Sequence, residues 1–326
     1  MIRELTYREA IASAIGDELE ADPRTVFFGE DVGAAGGAFK STVGLLERFG
    51  GERVRDTPIS EQAIVGAAIG AAIAGLRPIA EIMFADFVGV CFDQIVNQLA
   101  KYRYMTAGQV RLPVTLRMAN GAGAGFGAQH SQAAENWLIN VPGLYLATPA
   151  TAEDTYRILR TAVQCDDPVV VFEHKNLFGL KGTIDSTAPV LPVGKADVVR
   201  SGEHVTVVAT QQMRHRAVEA AEELAAEGIH IEVIDPRWLT PFDDAAVVAS
   251  LQKTSRLLVV QEGPAPGGWA GALVARLCAH HFELFDAPPR LLTSPFTPVP
   301  YSGVLEDAWL PSAPDVADCC RELLKY

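Results

Sequence analysis

Two side chains in this sequence stand where they could move a proton, Glu61 and His130. Glu61 closes the segment Asp56-Thr57-Pro58-Ile59-Ser60-Glu61. Ser60 is a good helix N-cap residue, which places Glu61 in a first helical turn, where the helix dipole favours a carboxylate. His130 lies in Gln129-His130-Ser131-Gln132, just after the glycine-rich run Asn120-Gly121-Ala122-Gly123-Ala124-Gly125-Phe126-Gly127. An imidazole exchanges its proton near neutral pH, and flanking amides and a hydroxyl can orient it for acid–base work. Taken alone, each residue also has a plain structural reading, as a helix-start signal and as a packed histidine.

The elements around them are unusual. The helix predicted over 61–75 carries Ala63, Gly66, Ala67, Gly70, Ala71 and Ala74 at helical spacing, so one whole face has no bulk. A glycine inside a helix costs roughly 1 kcal/mol relative to alanine, so close approach of a second helix or subunit is expected to offset it. The glycine run before His130 superficially matches a dinucleotide fingerprint. That fingerprint should open into a long apolar helix with an acid about 20 residues on, and Ala128-Gln129-His130-Ser131-Gln132-Ala133-Ala134-Glu135 fits this poorly. A glycine loop at a strand end can instead bring backbone into the crevice where open α/β sheets bind ligands. Met83-Phe84-Ala85-Asp86-Phe87 leads into a helix predicted over 86–103, with Phe92, Ile95, Leu99 and Tyr102 on one face. Asp93, Asn97 and Lys101 recur at four-residue steps on another, either as a solvated stripe or as a polar seam at an interface.

Strand and helix signals alternate along the chain. Runs at 25–29, 78–83, 113–118 and 168–172 read as strands, and 6–22, 61–75, 86–103 and 151–165 as helices. Such alternation predicts a doubly wound, mostly parallel sheet. A Pro-, Gly-, Ser- and Thr-rich stretch from Thr183 to Lys195 is read as a linker. Beyond it, strands at 204–209, 229–234 and 256–260 and helices at 212–227 and 243–252 form a second α/β unit. The expected division is residues 1–185, a linker at 186–196, and 197–326. The chain of 326 residues has a net charge of −13, which disfavours nucleic acid and anionic membranes as partners. Its five cysteines show no metal-type spacing, and no signal or transit segment opens the sequence. A reduced, cytoplasmic protein is expected.

The sequence resembles the β subunit of the decarboxylating first component of 2-oxo acid dehydrogenase complexes, among the transketolase-like thiamine diphosphate enzymes. The matching segments include Gly29-Glu30-Asp31-Val32, Asp56-Thr57-Pro58-Ile59-Ser60-Glu61, Ala71-Ala72-Ile73-Ala74-Gly75-Leu76-Arg77-Pro78 and Asp93-Gln94-Ile95-Val96-Asn97-Gln98. Further on come Ala100-Lys101-Tyr102-Arg103-Tyr104-Met105, Gln129-His130-Ser131-Gln132 and Asp167-Pro168-Val169-Val170. Within the family the acetoin dehydrogenase branch is most similar, through Met83-Phe84-x-Asp86-Phe87, Glu173-His174-Lys175, Thr297-Pro298-Val299-Pro300-Tyr301-Ser302 and Leu305-Glu306-Asp307. The resemblance implies a thiamine-binding pyrimidine-type domain followed by a transketolase C-terminal-type domain. It implies that Glu61 bonds the pyrimidine N1′, in a dry setting that raises its affinity for the proton. Phe87 would stack on the aminopyrimidine, Met83 would line its pocket, Ile59 would lie beside the cofactor, and His130 would face the substrate adduct during acyl transfer to a lipoyl group.

The family's diphosphate and magnesium signature, Gly-Asp-Gly followed by an asparagine, does not occur in this sequence. The resemblance therefore implies an α subunit that carries Mg²⁺ and the diphosphate, in an α2β2 heterotetramer. It also implies a monovalent cation (K⁺) on the backbone carbonyls of Val114, Ala162, Cys165 and Asp167. The C-terminal domain would make β–β contacts and dock a lipoyl-bearing acyltransferase core enzyme. The segment Glu262-Gly263-Pro264-Ala265-Pro266-Gly267-Gly268-Trp269-Ala270 departs from the family pattern. A stand-alone thiamine diphosphate carboligase is thus a second reading, and a catalytically silent interaction subunit a third. A nicotinamide-dependent dehydrogenase is the weakest.

Overall fold

The computed structural model describes residues 1–326, which divide into two units. The first comprises Met1–Asn120 and Trp137–Val193, the second Gly121–Asn136 and Gly194–Tyr326.

In the first unit, β1 (Ile2–Thr6) runs into α1 (Tyr7–Ala21), followed by β2 (Thr25–Gly29), α2 (Leu45–Phe49) and β3 (Val54–Asp56). Next come α3 (Glu61–Ile73), β4 (Arg77–Phe84), α4 (Tyr102–Met105) and β5 (Thr115–Asn120). After the short α5 (Glu135–Leu138) come β6 (Tyr145–Ala147), α6 (Ala152–Gln164), β7 (Val169–His174) and β8 (Lys181–Asp185). Six of these strands form a parallel sheet in the order β6-β7-β5-β4-β2-β3. Because the strands are parallel, the carboxyl ends of β2, β3, β4 and β5 share one edge, and the strand order reverses between β2 and β4, where open sheets take ligands. The central strands β5 and β7 are buried on both faces, as a parallel sheet covered on both sides requires. The helices start where local chemistry says they should. Thr6 and Thr151 accept from the amides of Glu9 and Asp154 at the heads of α1 and α6, satisfying donors that a bare helix end would leave unpaired.

Two expectations change. The helix predicted over 86–103 is broken into a 3-10 turn at Ala85–Gly89, a π-helical turn at Gln94–Leu99 and the short α4. Gly89 and the β-branched Val88 and Val90 are weak helix formers. The bond from the Ala100 amide to the Ile95 carbonyl spans five residues. Phe92 consequently leaves the predicted apolar face and is 41% exposed, while Ile95 and Leu99 are buried. Asn97 does bond Asp93 at 2.7 Å, whereas Lys101 turns to the Pro142 carbonyl at 2.6 Å. In addition, the first five residues after Met1 are a strand, paired antiparallel with β8 from Ile2↔Asp185 to Thr6↔Lys181. The start of the Thr183–Lys195 stretch therefore belongs to a strand.

The second unit contains β9 (Asp197–Arg200), β10 (Val205–Ala209), α7 (Gln211–Ala225), β11 (Ile231–Asp235), β12 (Trp238–Thr240) and α8 (Asp244–Thr254). It ends with β13 (Leu257–Pro264), α9 (Trp269–His281), β14 (Arg290–Ser294), α10 (Gly303–Trp309) and α11 (Ala313–Leu323). Its sheet runs β14-β13-β10-β11-β9, parallel except for the edge strand β9. Val207, Val233 and Val260 from the sheet, Leu224 from α7 and Val316 from α11 fill its core, and Ala122 joins them. No helix is long and apolar enough to cross a membrane.

Candidate active site

Glu61 heads α3 as expected and is only 6% exposed. Ser60 occupies the N-cap position, but its side chain makes no capping bond. Its ψ of 76° differs from the 158° and 166° of the bonding caps Thr6 and Thr151, so its hydroxyl is not aligned over the first-turn amides. The Ser60 backbone amide is turned toward the carboxylate of Glu30, just past β2. Burial, then the charges of Glu61 and Asp31, push the Glu30 carboxyl above its ordinary range, with the Ser60 amide opposing them. The loop after Glu30 is fixed by Asp56, which accepts from the amides of Gly33 (2.6 Å) and Ala34 (3.3 Å). A Cβ on Gly33 would stand 2.9 Å from that carboxylate. Cys91 is also buried near this group, and burial together with Glu61 pushes its thiol up to about 12. A thiol with so little thiolate is no nucleophile at neutral pH.

Met83 and Phe87 are half-buried. Phe87 packs edge-on to Phe84, with centroids 5.6 Å apart, and Phe84 in turn packs on Phe39 at 5.3 Å. Ile59 is 84% exposed. On α3, Ile64, Val65, Ala68, Ile69 and Ala72 face the core. The small-residue side is bare: Ala63, Ala67, Gly70 and Ala74 are exposed, and a Cβ at Gly70 would meet nothing within 4 Å beyond its own helix. On β5 Arg117, 2% exposed, bonds Glu173 through Nε at 2.9 Å and Nη2 at 2.6 Å, and also bonds Glu81 and Ser41.

Val114, Ala162, Cys165 and Asp167 come together around the end of α6 and the starts of β5 and β7. The Val114 carbonyl accepts from Val169 (3.0 Å), that of Ala162 from Cys165 (3.2 Å), and that of Cys165 from Arg77 Nη1 (3.1 Å). The Asp167 carboxylate pairs with Arg103.

His130 is placed with the second unit, on the segment Gly121–Asn136, whereas Glu61, Met83, Phe87 and Ile59 belong to the first. Gly121, Gly123, Gly125 and Gly127 all have positive φ, from 70° to 89°, a region open to glycine at little cost. Their loop is held by residues that sequence reading did not single out for this site. Glu262 accepts from the Ala122 amide at 2.6 Å, and Glu306 from the amides of Gly123 (2.7 Å) and Gly125 (3.0 Å). Tyr301 covers Gly127, where an added Cβ would lie 3.3 Å from its ring. His130 itself is half-buried, and its amide donates to Gly127.

Two doubly wound α/β units in series, the first carrying a buried carboxylate at its sheet's carboxyl edge, define a transketolase-type chain. The transketolase pyrimidine-binding domain matches residues 3–181 and the transketolase C-terminal domain residues 194–316. The chain is 44% identical to the acetoin:2,6-dichlorophenolindophenol oxidoreductase β subunit of Cupriavidus necator, over 100% of this chain and 99% of that protein. It is 43% identical to the mitochondrial pyruvate dehydrogenase E1 component subunit β-1 of Arabidopsis thaliana, over 96% and 88%. A solved structure described as a split-gene transketolase in an inactive β4 tetramer superposes with a TM-score of 0.80 at 25% identity, covering 98% of each chain. The chain belongs to the transketolase-like family, among the β subunits of acetoin and 2-oxo acid dehydrogenases.

Proposed function

We propose that this chain is the β subunit of a cytoplasmic, thiamine diphosphate-dependent α2β2 enzyme that cleaves acetoin or a 2-oxo acid and passes the acyl group to lipoamide. The observation that carries this reading is Glu61, buried in the first turn of a helix whose small-residue side is left bare. When bound, thiamine diphosphate supplies a carbon nucleophile that adds to a carbonyl and a ring that accepts the electron pair released on cleavage. The chemistry of the residues suits its pyrimidine end: a buried carboxylate, Glu61, and half-buried Met83 and Phe87 in the same unit are what a flat, nitrogen-bearing ring calls for.

In this reading Glu61 holds a proton at the pyrimidine N1′. Phe87 and Met83 would orient the ring and exclude water from it, and Ile59, exposed in this chain, would lie beside the cofactor. His130 moves a proton on the substrate side during acyl transfer, a role worth about 10²- to 10⁴-fold in rate. The sequence has no Gly-Asp-Gly, so an α subunit is assigned the diphosphate and Mg²⁺. That subunit packs on the bare side of α3. The carbonyls of Val114, Ala162, Cys165 and Asp167 are assigned a monovalent cation, since each carbonyl oxygen has two lone pairs. The second unit is assigned the β–β contact and the docking of a lipoyl-bearing core enzyme.

The test is co-expression with an α-subunit partner, followed by assay on acetoin, pyruvate and branched-chain 2-oxo acids. Glu61→Gln should abolish turnover of whichever substrate is used, with the heterotetramer intact. A fully active Glu61→Gln enzyme would overturn the mechanism.

A further inference from the structure

The glycine run that superficially resembles a phosphate-binding loop already holds an anion, and that anion is part of the chain. Four glycines at positive φ fall within seven residues, and the amides of Ala122, Gly123 and Gly125 all donate to carboxylates, as backbone concavities that bind phosphates and carboxylates do. Both oxygens of Glu306 are used there, Oε1 by Gly123 and Oε2 by Gly125, while Glu262 takes the preceding amide, that of Ala122. Both carboxylates are buried, Glu306 at 2% exposure and Glu262 at 7%, where charge-assisted hydrogen bonds are at their strongest. The loop is tied down further by Ala122, whose methyl is fully buried in the second unit's core, and by Tyr301 over Gly127. His130 follows three residues later and bonds back to Gly127.

We propose that Glu306, assisted by Glu262, is the positioning residue for His130. It acts as a built-in counter-anion that freezes the glycine loop and thereby fixes where the imidazole is presented. The same contacts leave the amides of Ala122, Gly123 and Gly125 already bonded to carboxylates, and so closed to an incoming phosphate. Glu306 touches no reacting atom in this scheme. The positioning role rests on the reading of His130 given above, whereas the loop clamp itself does not.

The experiment uses the α–β complex with cofactor and compares wild type, Glu306→Ala, the near-isosteric Glu306→Gln, and His130→Ala. Amide hydrogen exchange of peptides spanning Gly121–Gly127 should accelerate about ten- to a hundredfold in Glu306→Ala, as expected for loss of two buried charged hydrogen bonds. It should accelerate less in Glu306→Gln, which keeps one acceptor oxygen. The ratio of lipoamide-dependent to artificial-oxidant-dependent turnover should fall in the same order, and fall furthest in His130→Ala. A purely structural residue would lower both rates together and leave that ratio unchanged. Unchanged exchange in both Glu306 variants would overturn the clamp. Faster exchange with an unchanged ratio, while His130→Ala does alter it, would overturn the positioning role. If His130→Ala leaves the ratio alone, the role assigned to His130 fails and the positioning role fails with it; the exchange data then decide the clamp separately. Should Glu306→Ala not fold, the Glu306→Gln comparison decides the same points.

Discussion

The charge of Glu61 acts on Glu30 across the carboxyl edge of the first sheet, adding to burial in holding the Glu30 carboxyl above its ordinary range. Two carboxylates from different crossovers, Glu30 after β2 and Glu61 after β3, are thus both buried and close enough to interact. Like charges in such a setting resist ionising together.

That coupling has a pH signature. The Glu30 carboxyl titrates above its reference value of 4.5 in the folded chain. Above 4.5, and up to the raised value, the folded state therefore binds more protons than the unfolded state, and stability falls as pH rises through that window. Glu30→Gln removes this term, so its melting temperature should gain on wild type as pH is raised from about 4 toward 7. Glu61→Gln should shrink the same slope by removing one of the raising charges. Melting curves at several pH values check this, and parallel Glu30→Gln and wild-type curves would contradict the assignment.

Gly70 gives a prediction with opposite signs in two assays. It lies within α3, is exposed, and has open space where a Cβ would be. Gly70→Ala should stabilise the chain alone by roughly 0.5–1 kcal/mol through helix propensity. Gly70→Leu should leave the isolated chain folded yet weaken or abolish association with an α subunit, because the bare side of α3 then carries bulk. Denaturant titration reads the first effect and sedimentation the second. Normal assembly of Gly70→Leu would remove α3 from the interface.

Arg117 is the buried cation between Glu81 and Glu173, which are 4% and 0% exposed. Burial pushes the Glu173 carboxyl upward and Arg117 opposes it. Arg117→Leu leaves two buried carboxylates uncompensated and should cost about 3–5 kcal/mol in urea unfolding. Glu173→Gln removes one charge and should cost distinctly less, since it leaves Glu81 to pair with Arg117. Equal losses in the two variants would show that packing, not charge, dominates this cluster.

Much of the fold was legible locally. The apolar, β-branched runs at β2, β4, β5 and β7 announce buried parallel strands, because a strand covered on both faces needs no alternation. Thr151 and the acids behind it announce α6, and Glu61 falls in the first turn of α3 as its neighbours predict. The broken stretch 85–105 was not legible. An apolar stripe survives a π-helical turn, so periodicity alone cannot tell a continuous helix from an interrupted one. The β1–β8 ladder was also invisible, since it joins Ile2 to Asp185 and neither segment carries a strong strand pattern.

The sequence by itself determined the alternation of elements and the smooth face of α3, because each rests on neighbouring residues and their periodicity, and its resemblance to known segments pointed to the family. Tertiary structure decided which charges sit together. Glu30 meets Glu61 only where two crossovers converge, and Glu306 reaches Gly123 across 183 residues of chain. It also decided that His130, though it follows a strand of the first unit, is placed with the second. Such contacts depend on where the folded backbone returns, and no local pattern of residue types encodes that return.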